Sequence, residues 1–407
     1  MQAVIMAGGK GTRIASLVSD VPKPMILICG KPILQYQIEC LKAQGIKEII
    51  LVIGHLGNVI KSYFGEGEKY GVSITYIEET VPLGTAGALY YLKDKIKDDF
   101  LLLNGDIIFD IDVKRFMAYH KKMGGEATIF THPNSHPYDS GIVITDQHGV
   151  VKRWLNKEDD RKWYKNRVNA GLHILSPHIF DLVMSAEKMD LDRDVLKKLI
   201  PERKLVAYDS PEYVKDMGTP ERFEAVTRDI ETGLVQAKNL THRQKAVFLD
   251  RDGTVNIYKG FIRHAEDFEL IPGVAKAIKK VNESGYLAII VTNQPVIARG
   301  ECSFEELERI HQKMETLLGQ EGAYIDDIFC CPHHPNKGYA GERIEYKIDC
   351  DCRKPKPGLL YQAAQKYNID LEKSYMVGDD ERDMEAGRRA GCRLCKIDKN
   401  DVFDLEL

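Results

Sequence analysis

Short runs of consecutive apolar residues recur along the chain, and longer amphipathic stretches separate them. The runs are Ala3 to Met6, Ile49 to Val52, Phe100 to Leu103, Ala246 to Leu249, Leu287 to Val291 and Tyr375 to Val377. Strands alternating with helical stretches predict βαβ units and parallel sheets. The spacing predicts a helix over Pro220 to Glu231, followed by a polar stretch from Gln236 to Lys245, after which the alternation restarts at Ala246. This places one domain at 1–235, a linker at 236–244 and a second domain at 245–407. The halves share no visible period, which predicts a fusion of unlike α/β domains rather than a duplication.

Composition narrows the class. A chain of 407 residues exceeds one ordinary core. Its 43% hydrophobic and 29% charged residues are those of a soluble globular protein. A net charge of -4 leaves no basic surplus for nucleic acid, so anionic ligands must be met by local clusters. The apolar runs are far shorter than the roughly 20 residues that cross a bilayer, and the start lacks the pattern of a signal peptide. A cytoplasmic location is expected, with no membrane or nucleic-acid partner. Of nine cysteines, four fall between Cys330 and Cys352, which points to a local metal site rather than a disulfide framework.

The first strand runs into Ala7-Gly8-Gly9-Lys10-Gly11-Thr12-Arg13, whose glycines let backbone N–H groups approach a phosphate. The spacing matches neither common phosphate-loop pattern, so taken alone it reads equally as a plain turn. Further on, Val21-Pro22-Lys23-Pro24-Met25 sets one lysine between prolines that stiffen the backbone.

Together these two segments resemble the signature of the sugar-1-phosphate nucleotidyltransferases. The resemblance implies that Gly8, Gly9, Gly11, Thr12, Arg13 and Lys23 hold a nucleoside triphosphate, with Arg13 and Lys23 spreading the charge on its phosphates. Pro82-Leu83-Gly84-Thr85-Ala86 resembles the base-reading turn, which gives Gly84 and Thr85 to the nucleotide. Asp106, closing Leu103-Asn104-Gly105-Asp106, and Asp216, opening Asp216-Met217-Gly218-Thr219-Pro220, resemble the pair of carboxylates that holds Mg²⁺. Asn169, Gly141 and Lys157 fall where the family meets the sugar and its phosphate. Asn156 stands where the family commonly has a glutamate on the sugar hydroxyls, a departure that bears on which sugar is accepted. The implied reaction is attack of a sugar 1-phosphate oxygen on the α-phosphorus with release of pyrophosphate. The segments Arg13 to Met25 and Glu78 to Thr85 resemble heptose-1-phosphate guanylyltransferases, which implies GTP.

In the second half the strand Ala246 to Leu249 ends in Asp250-Arg251-Asp252-Gly253-Thr254, two carboxylates at the end of a strand where open α/β sheets bind ligands. The motif resembles the haloacid-dehalogenase-like phosphatases, which implies Asp250 as nucleophile and Asp252 as proton donor. Thr292 and Asn293 would meet the phosphate and Lys354 would steady it, while Mg²⁺ would be held by Asp250, Asp379 and the carbonyl of Asp252. Asp380 is a further candidate ligand. Cys331, His333, Cys350 and Cys352 form two close pairs that suit tetrahedral zinc, giving a structural loop over 330–352. Cys330 is expected in the core and His334 at the surface or facing substrate.

This loop, with Thr292-Asn293-Gln294 and Cys350-Asp351-Cys352-Arg353-Lys354-Pro355, resembles heptose 1,7-bisphosphate phosphatases, and histidinol-phosphate phosphatases are similar. Pro295-Val296 departs from the heptose enzymes, which usually have a serine and a small residue there. Arg353 would hold the phosphate left behind. The expected fold is thus two doubly wound α/β domains, a Rossmann-like nucleotidyltransferase fold and a haloacid-dehalogenase-like fold with a small zinc loop. The expected activity is removal of the 7-phosphate of a heptose bisphosphate and guanylylation of the product. Other sugar phosphates, other nucleotides or a non-catalytic fusion are the alternatives.

Overall fold

In Ala3–Met6, Ala3 and Ile5 join one apolar cluster with Leu51 and Leu103, while Val4 joins another with Ile50 and Leu102. Successive side chains point to opposite faces, so a strand covered on both sides must be apolar at every position. The computed structural model describes residues 1–9 and 21–407. Lys10 to Asp20, which carry Gly11, Thr12 and Arg13, lie outside the described residues.

Two compact units make up the chain. The first comprises Met1–His132, Val143–Trp154 and Asn169–Asn239. In its sheet Ser73–Glu78, Glu48–Ile53, Ala3–Met6 and Phe100–Asn104 lie side by side and parallel. Val168–Leu175 then pairs antiparallel with Phe100–Asn104, so the sheet is mixed rather than wholly parallel. An apolar run buried on both faces suits either direction, and connection geometry decides which is used. A separate antiparallel ribbon joins Ile107–Asp110 to Tyr213–Asp216, with Ile107 opposite Asp216.

The second unit comprises Pro133–Ile142, Leu155–Val168 and Leu240–Leu407. Its five strands are all parallel, in the order Asp327–Cys331, Tyr286–Asn293, Lys245–Leu249, Tyr375–Gly378, Arg393–Lys396. The first strand in sequence is thus central, and the chain winds outward on either side of it. Loops leaving such a reversal point form a crevice at the strand ends. Val247 and Leu249 pack into one cluster and Ala246 and Phe248 into another, repeating the two-faced burial of the first unit.

The helix Pro220–Glu231 begins where Thr219 Oγ1 accepts the Arg222 N–H at 3.3 Å with proline at its first position. The units divide between Asn239 and Leu240, and both residues are buried, so this polar stretch is packed rather than a free tether.

Two segments from the first half of the sequence belong to the second unit. Arg167, buried, pairs with the buried Glu315 at 3.1 Å and donates to the carbonyl of Asp326 at 2.8 Å. The Tyr164 N–H meets Thr316 Oγ1 at 3.0 Å, and that hydroxyl lies 3.3 Å from the Tyr164 carbonyl. A Cβ on Gly319 would lie 2.6 Å from the Pro137 ring, so glycine permits that approach. Among the described residues no helix is long and apolar enough to cross a membrane.

Candidate active sites

The first site is built at the ends of the ribbon and the parallel strands. Lys23 Nζ lies 2.5 Å from Asp106 Oδ2. Gly105 precedes that carboxylate, and a Cβ there would sit 2.8 Å from the carbonyl of Met6 and 3.2 Å from the Pro24 ring. The Met217 N–H donates to the Asp106 carbonyl at 3.1 Å, which brings Asp216 alongside. Asp216 accepts from Arg222 through both oxygens, at 2.8 and 2.9 Å. Burial disfavours the Asp216 anion, yet Arg222, the Gly218 N–H and Lys23 outweigh it and hold the pKa below the usual carboxylate value. The expected Lys23, Asp106 and Asp216 are therefore together.

The other expected residues of this half are engaged in different ways. A Cβ on Gly8 would lie 2.3 Å from Glu79 Oε2, whose other oxygen accepts the Leu83 N–H at 3.2 Å. Glu79, which has no mark in the sequence, thus lies against Gly8 and holds the start of the 82–86 turn. Burial raises its pKa despite that hydrogen bond. Among the described residues nothing lies within 4 Å of where a Cβ on Gly9 would stand. Gly84, at φ +76°, packs against the chain itself, since a Cβ would lie 2.3 Å from the Met189 carbonyl. The Thr85 hydroxyl accepts the Leu191 N–H at 2.7 Å.

Asn169 donates to Asp192 at 3.3 Å and accepts the Gly171 N–H at 3.2 Å. Asp192 was not singled out in the sequence, where one carboxylate among Asp190, Asp192 and Asp194 has no distinguishing mark. Burial and then Asp190 push its pKa up to about 6. Gly141 and Lys157 fall in the segments that belong to the second unit. Lys157 is largely exposed, 3.8 Å from Glu158.

The second site lies where the central strand ends. Asp250 follows Lys245–Leu249 and its N–H donates to the Val377 carbonyl of the neighbouring strand at 3.0 Å. Lys354 Nζ reaches Asp250 Oδ1 at 2.7 Å, Asp383 Oδ1 at 2.6 Å and the Val291 carbonyl at 2.7 Å. Burial disfavours the Lys354 ammonium, but the two carboxylates outweigh it and raise its pKa. Burial pushes Asp250 up, Lys354 opposes it, and Asp383 and Asp252 add to it, leaving about 7. Oxygens of Asp250, Asp379 and Asp383 lie within 4.8 Å of one another, a set that suits a hard cation.

Asp252 sits in a cage of donors. Arg251, fully buried, reaches its two oxygens at 2.8 and 2.9 Å, Gln294 Nε2 one of them at 2.8 Å, and Asn256 Nδ2 the other at 3.1 Å. Burial works against the anion, but these donors, Arg251 foremost, keep the pKa below the usual value. Gln294 also reaches the hydroxyl of Thr292 at 3.0 Å. Asn293 clasps the Lys354 backbone at both ends, donating to its carbonyl and accepting its N–H, each at 3.0 Å. Asp380 caps the helix Glu381–Ala390 and pairs with Arg382 at 2.9 Å, while Asp383 pairs with Lys354.

Four sulfur and nitrogen atoms converge beside this site. Cys331, His333, Cys350 and Cys352 each offer one atom within 4.8 Å of the rest, with sulfur separations of 3.2 to 3.5 Å. Tetrahedral zinc would set such atoms about 3.5–3.8 Å apart, so the cluster fits that ion with small adjustment. Arg353 donates to the His333 carbonyl at 3.1 Å, and burial lowers its pKa. Cys330 packs against the apolar cluster as expected. His334 is buried and accepts the Asn336 N–H at 3.3 Å, which excludes the surface position of the two expected for it.

Comparison with known proteins finds two family models on this chain. A nucleotidyl transferase model matches residues 2–233, and a haloacid dehalogenase-like hydrolase model matches 143–391, beginning inside the first. A mannose-1-phosphate guanyltransferase of Eremothecium gossypii is 34% identical over 233 residues, 56% of this chain and 64% of that protein. The chain thus spans less than two thirds of that relative's length. A D-glycero-beta-D-manno-heptose-1,7-bisphosphate 7-phosphatase of Haemophilus ducreyi is 45% identical over 151 residues, 37% of this chain and 80% of that protein. Among solved structures, HddC from Yersinia pseudotuberculosis superposes with a TM-score of 0.50 at 27% identity, covering 56% of this chain and 99% of that one.

Proposed function

The chain belongs to the nucleotidyl transferases and to the haloacid dehalogenase-like hydrolases, and from that premise we propose a bifunctional enzyme of nucleotide-activated heptose synthesis. It removes the 7-phosphate of D-glycero-D-manno-heptose 1,7-bisphosphate and then transfers GMP from GTP to the heptose 1-phosphate. The observation that carries this reading is the pairing on one chain of two complementary sites. The Haemophilus relative is named for removing a 7-phosphate from a 1,7-bisphosphate, which leaves the 1-phosphate that a sugar-1-phosphate transferase consumes.

In the second unit Asp250 attacks phosphorus, the bond to the sugar oxygen breaks and Asp252 supplies the proton that oxygen takes up; water then cleaves the aspartyl-phosphate, returning a proton to Asp252 and freeing phosphate and Asp250. Asp252 must first turn out of its Arg251–Gln294–Asn256 cage, since there it is held as an anion. Lys354 steadies the phosphoryl group, and Asn293 and Asp383 fix Lys354. Asp250, Asp379 and the Asp252 carbonyl would hold Mg²⁺, which would supply positive charge for the phosphate oxygens. Cys331, His333, Cys350 and Cys352 would hold a structural zinc, and the His333 carbonyl holds Arg353, which would meet the remaining phosphate.

In the first unit an oxygen of the sugar 1-phosphate attacks the α-phosphorus and pyrophosphate leaves. Lys23 and Arg13 gather the phosphates, and the glycines Gly8, Gly9 and Gly11 admit them to the backbone. Asp106 and Asp216 would hold Mg²⁺ once Lys23 and Arg222 released them.

The similarity to mannose-1-phosphate guanyltransferases favours a second reading, in which the acceptor is a hexose 1-phosphate. One assay separates them. The protein is given α- or β-heptose 1,7-bisphosphate, Mg²⁺ and each nucleoside triphosphate, with mannose 1-phosphate plus GTP in parallel, and phosphate release and nucleotide-sugar mass are followed. GDP-heptose is the expected product. Phosphate release with GDP-mannose as the sole nucleotide sugar supports the second reading, and no release from either anomer removes the heptose assignment.

A further inference from the structure

The last eleven residues, which look in sequence like a short acidic tail, are built into the second unit. The Ile397 N–H donates to the Gly378 carbonyl at 3.1 Å, Phe403 is buried in the core, and Asp404 pairs with Lys280 at 2.7 Å. Between these anchors Asn400 adopts φ 69°, a conformation asparagine tolerates better than most residues. Its N–H donates to the carbonyl of Gly253 at 2.9 Å, and its side-chain oxygen accepts the Tyr258 N–H at 2.6 Å.

Beside it, Lys399 lays its ammonium 3.9 Å from the centre of the Tyr258 ring and 3.7 Å from Asp379 Oδ2. A Cβ on Gly253 would come within 2.8 Å of that same oxygen, so the loop after the nucleophile, Asp379 and the tail are pressed together.

We propose that the Lys399–Asn400 turn is a positioning device of the phosphatase site, in which Lys399 is a resident cation that competes with the divalent ion for Asp379. The proposal rests on Asp379 being a ligand of that ion. At 3.7 Å the ammonium is too far for a hydrogen bond to the carboxylate and acts as a Coulombic neighbour. Its stem is half exposed and can swing along the Tyr258 face as a metal arrives. The tail's own hydrogen bonds are made by Asn400 and Ile397, so loss of the lysine charge leaves the turn in place.

The test is Mn²⁺ binding to the full chain by electron paramagnetic resonance, scoring the binding class that Asp379→Asn abolishes. Lys399→Met keeps the stem and removes the charge, and should lower the dissociation constant of that class about three- to tenfold. Asn400→Gly keeps the left-handed backbone, drops only the bond to Tyr258, and should shift it in the same direction by less. Chelator-treated Lys399→Met should also melt below chelator-treated wild type, with the difference vanishing at saturating Mg²⁺. Unchanged or weaker Mn²⁺ binding in Lys399→Met overturns the proposal. If Asp379→Asn abolishes no class, the assignment of Asp379 itself fails, and the proposal with it.

Discussion

The two sites treat their carboxylates in opposite ways. In the first unit each acid already has a cation, Lys23 on Asp106 and Arg222 on Asp216. In the second, Asp250 and Asp383 share Lys354, Asp379 lies beside both with the half-exposed Lys399 near it, and Asp250 is pushed up to about 7. A balanced pair is stable before any ligand arrives and must be rearranged to bind a metal. A crowded acidic set carries its cost in the resting protein and is relieved by a cation. On the proposed function, the first design would hold its lysine ready for phosphates, and the second would hold oxygens for a metal and a nucleophile for phosphorus.

Breaking each site separately gives the largest effects. Asp250→Asn should reduce phosphate release from the bisphosphate on the order of 10⁴-fold, measured as inorganic phosphate, while nucleotide-sugar formation from a supplied 1-phosphate stays at the wild-type rate. Lys23→Met should show the converse, losing about 10²- to 10³-fold in pyrophosphate release with the phosphatase untouched. A variant that lost both activities would mean that the sites are not independent. A smaller effect tests the cysteine cluster. Cys352→Ser should drop bound zinc from about one ion per chain to none. The temperature at which half the phosphatase activity is lost should then fall by about 5–10 °C.

The smallest effect concerns protons in the first unit. Burial holds the His173 ring down at about 4, so below its ordinary 6.5 the unfolded chain takes a proton that the fold refuses. Its contribution to stability is full above 6.5 and is lost as pH falls towards 4. Asp192 works the other way. With its pKa raised to about 6, the fold takes a proton before the unfolded chain does, and stability rises as pH falls from 6 to 3.8. His173→Gln and Asp192→Asn should therefore tilt the stability-against-pH line in opposite directions between pH 7 and 5, each by about 1–2 kcal/mol in urea titrations.

Much of this was legible in one dimension. The runs at Ala3, Phe100, Ala246 and Tyr375 are strands because burial on both faces admits only apolar side chains, a local rule that leaves a local trace. Asp250, Lys354 and the four metal-type ligands were readable because their chemistry requires particular residue types at particular places. Asp383, Arg251 and Glu79 were not, since a carboxylate that steadies a lysine, a buried guanidinium and a carboxylate that holds a turn look like surface charges in sequence.

What the sequence by itself determined was six of the strands and the two families of chemistry, because each depends on residue identity and short spacing. Only the tertiary structure decided strand direction, the company each charge keeps and the membership of the units. Val168–Leu175 runs antiparallel, Arg167 finds Glu315 across 148 positions, and the tail reaches back to Gly253. These depend on which distant groups meet in a low-dielectric interior. There a partner multiplies the strength of a charge, and no short window of sequence contains that partner.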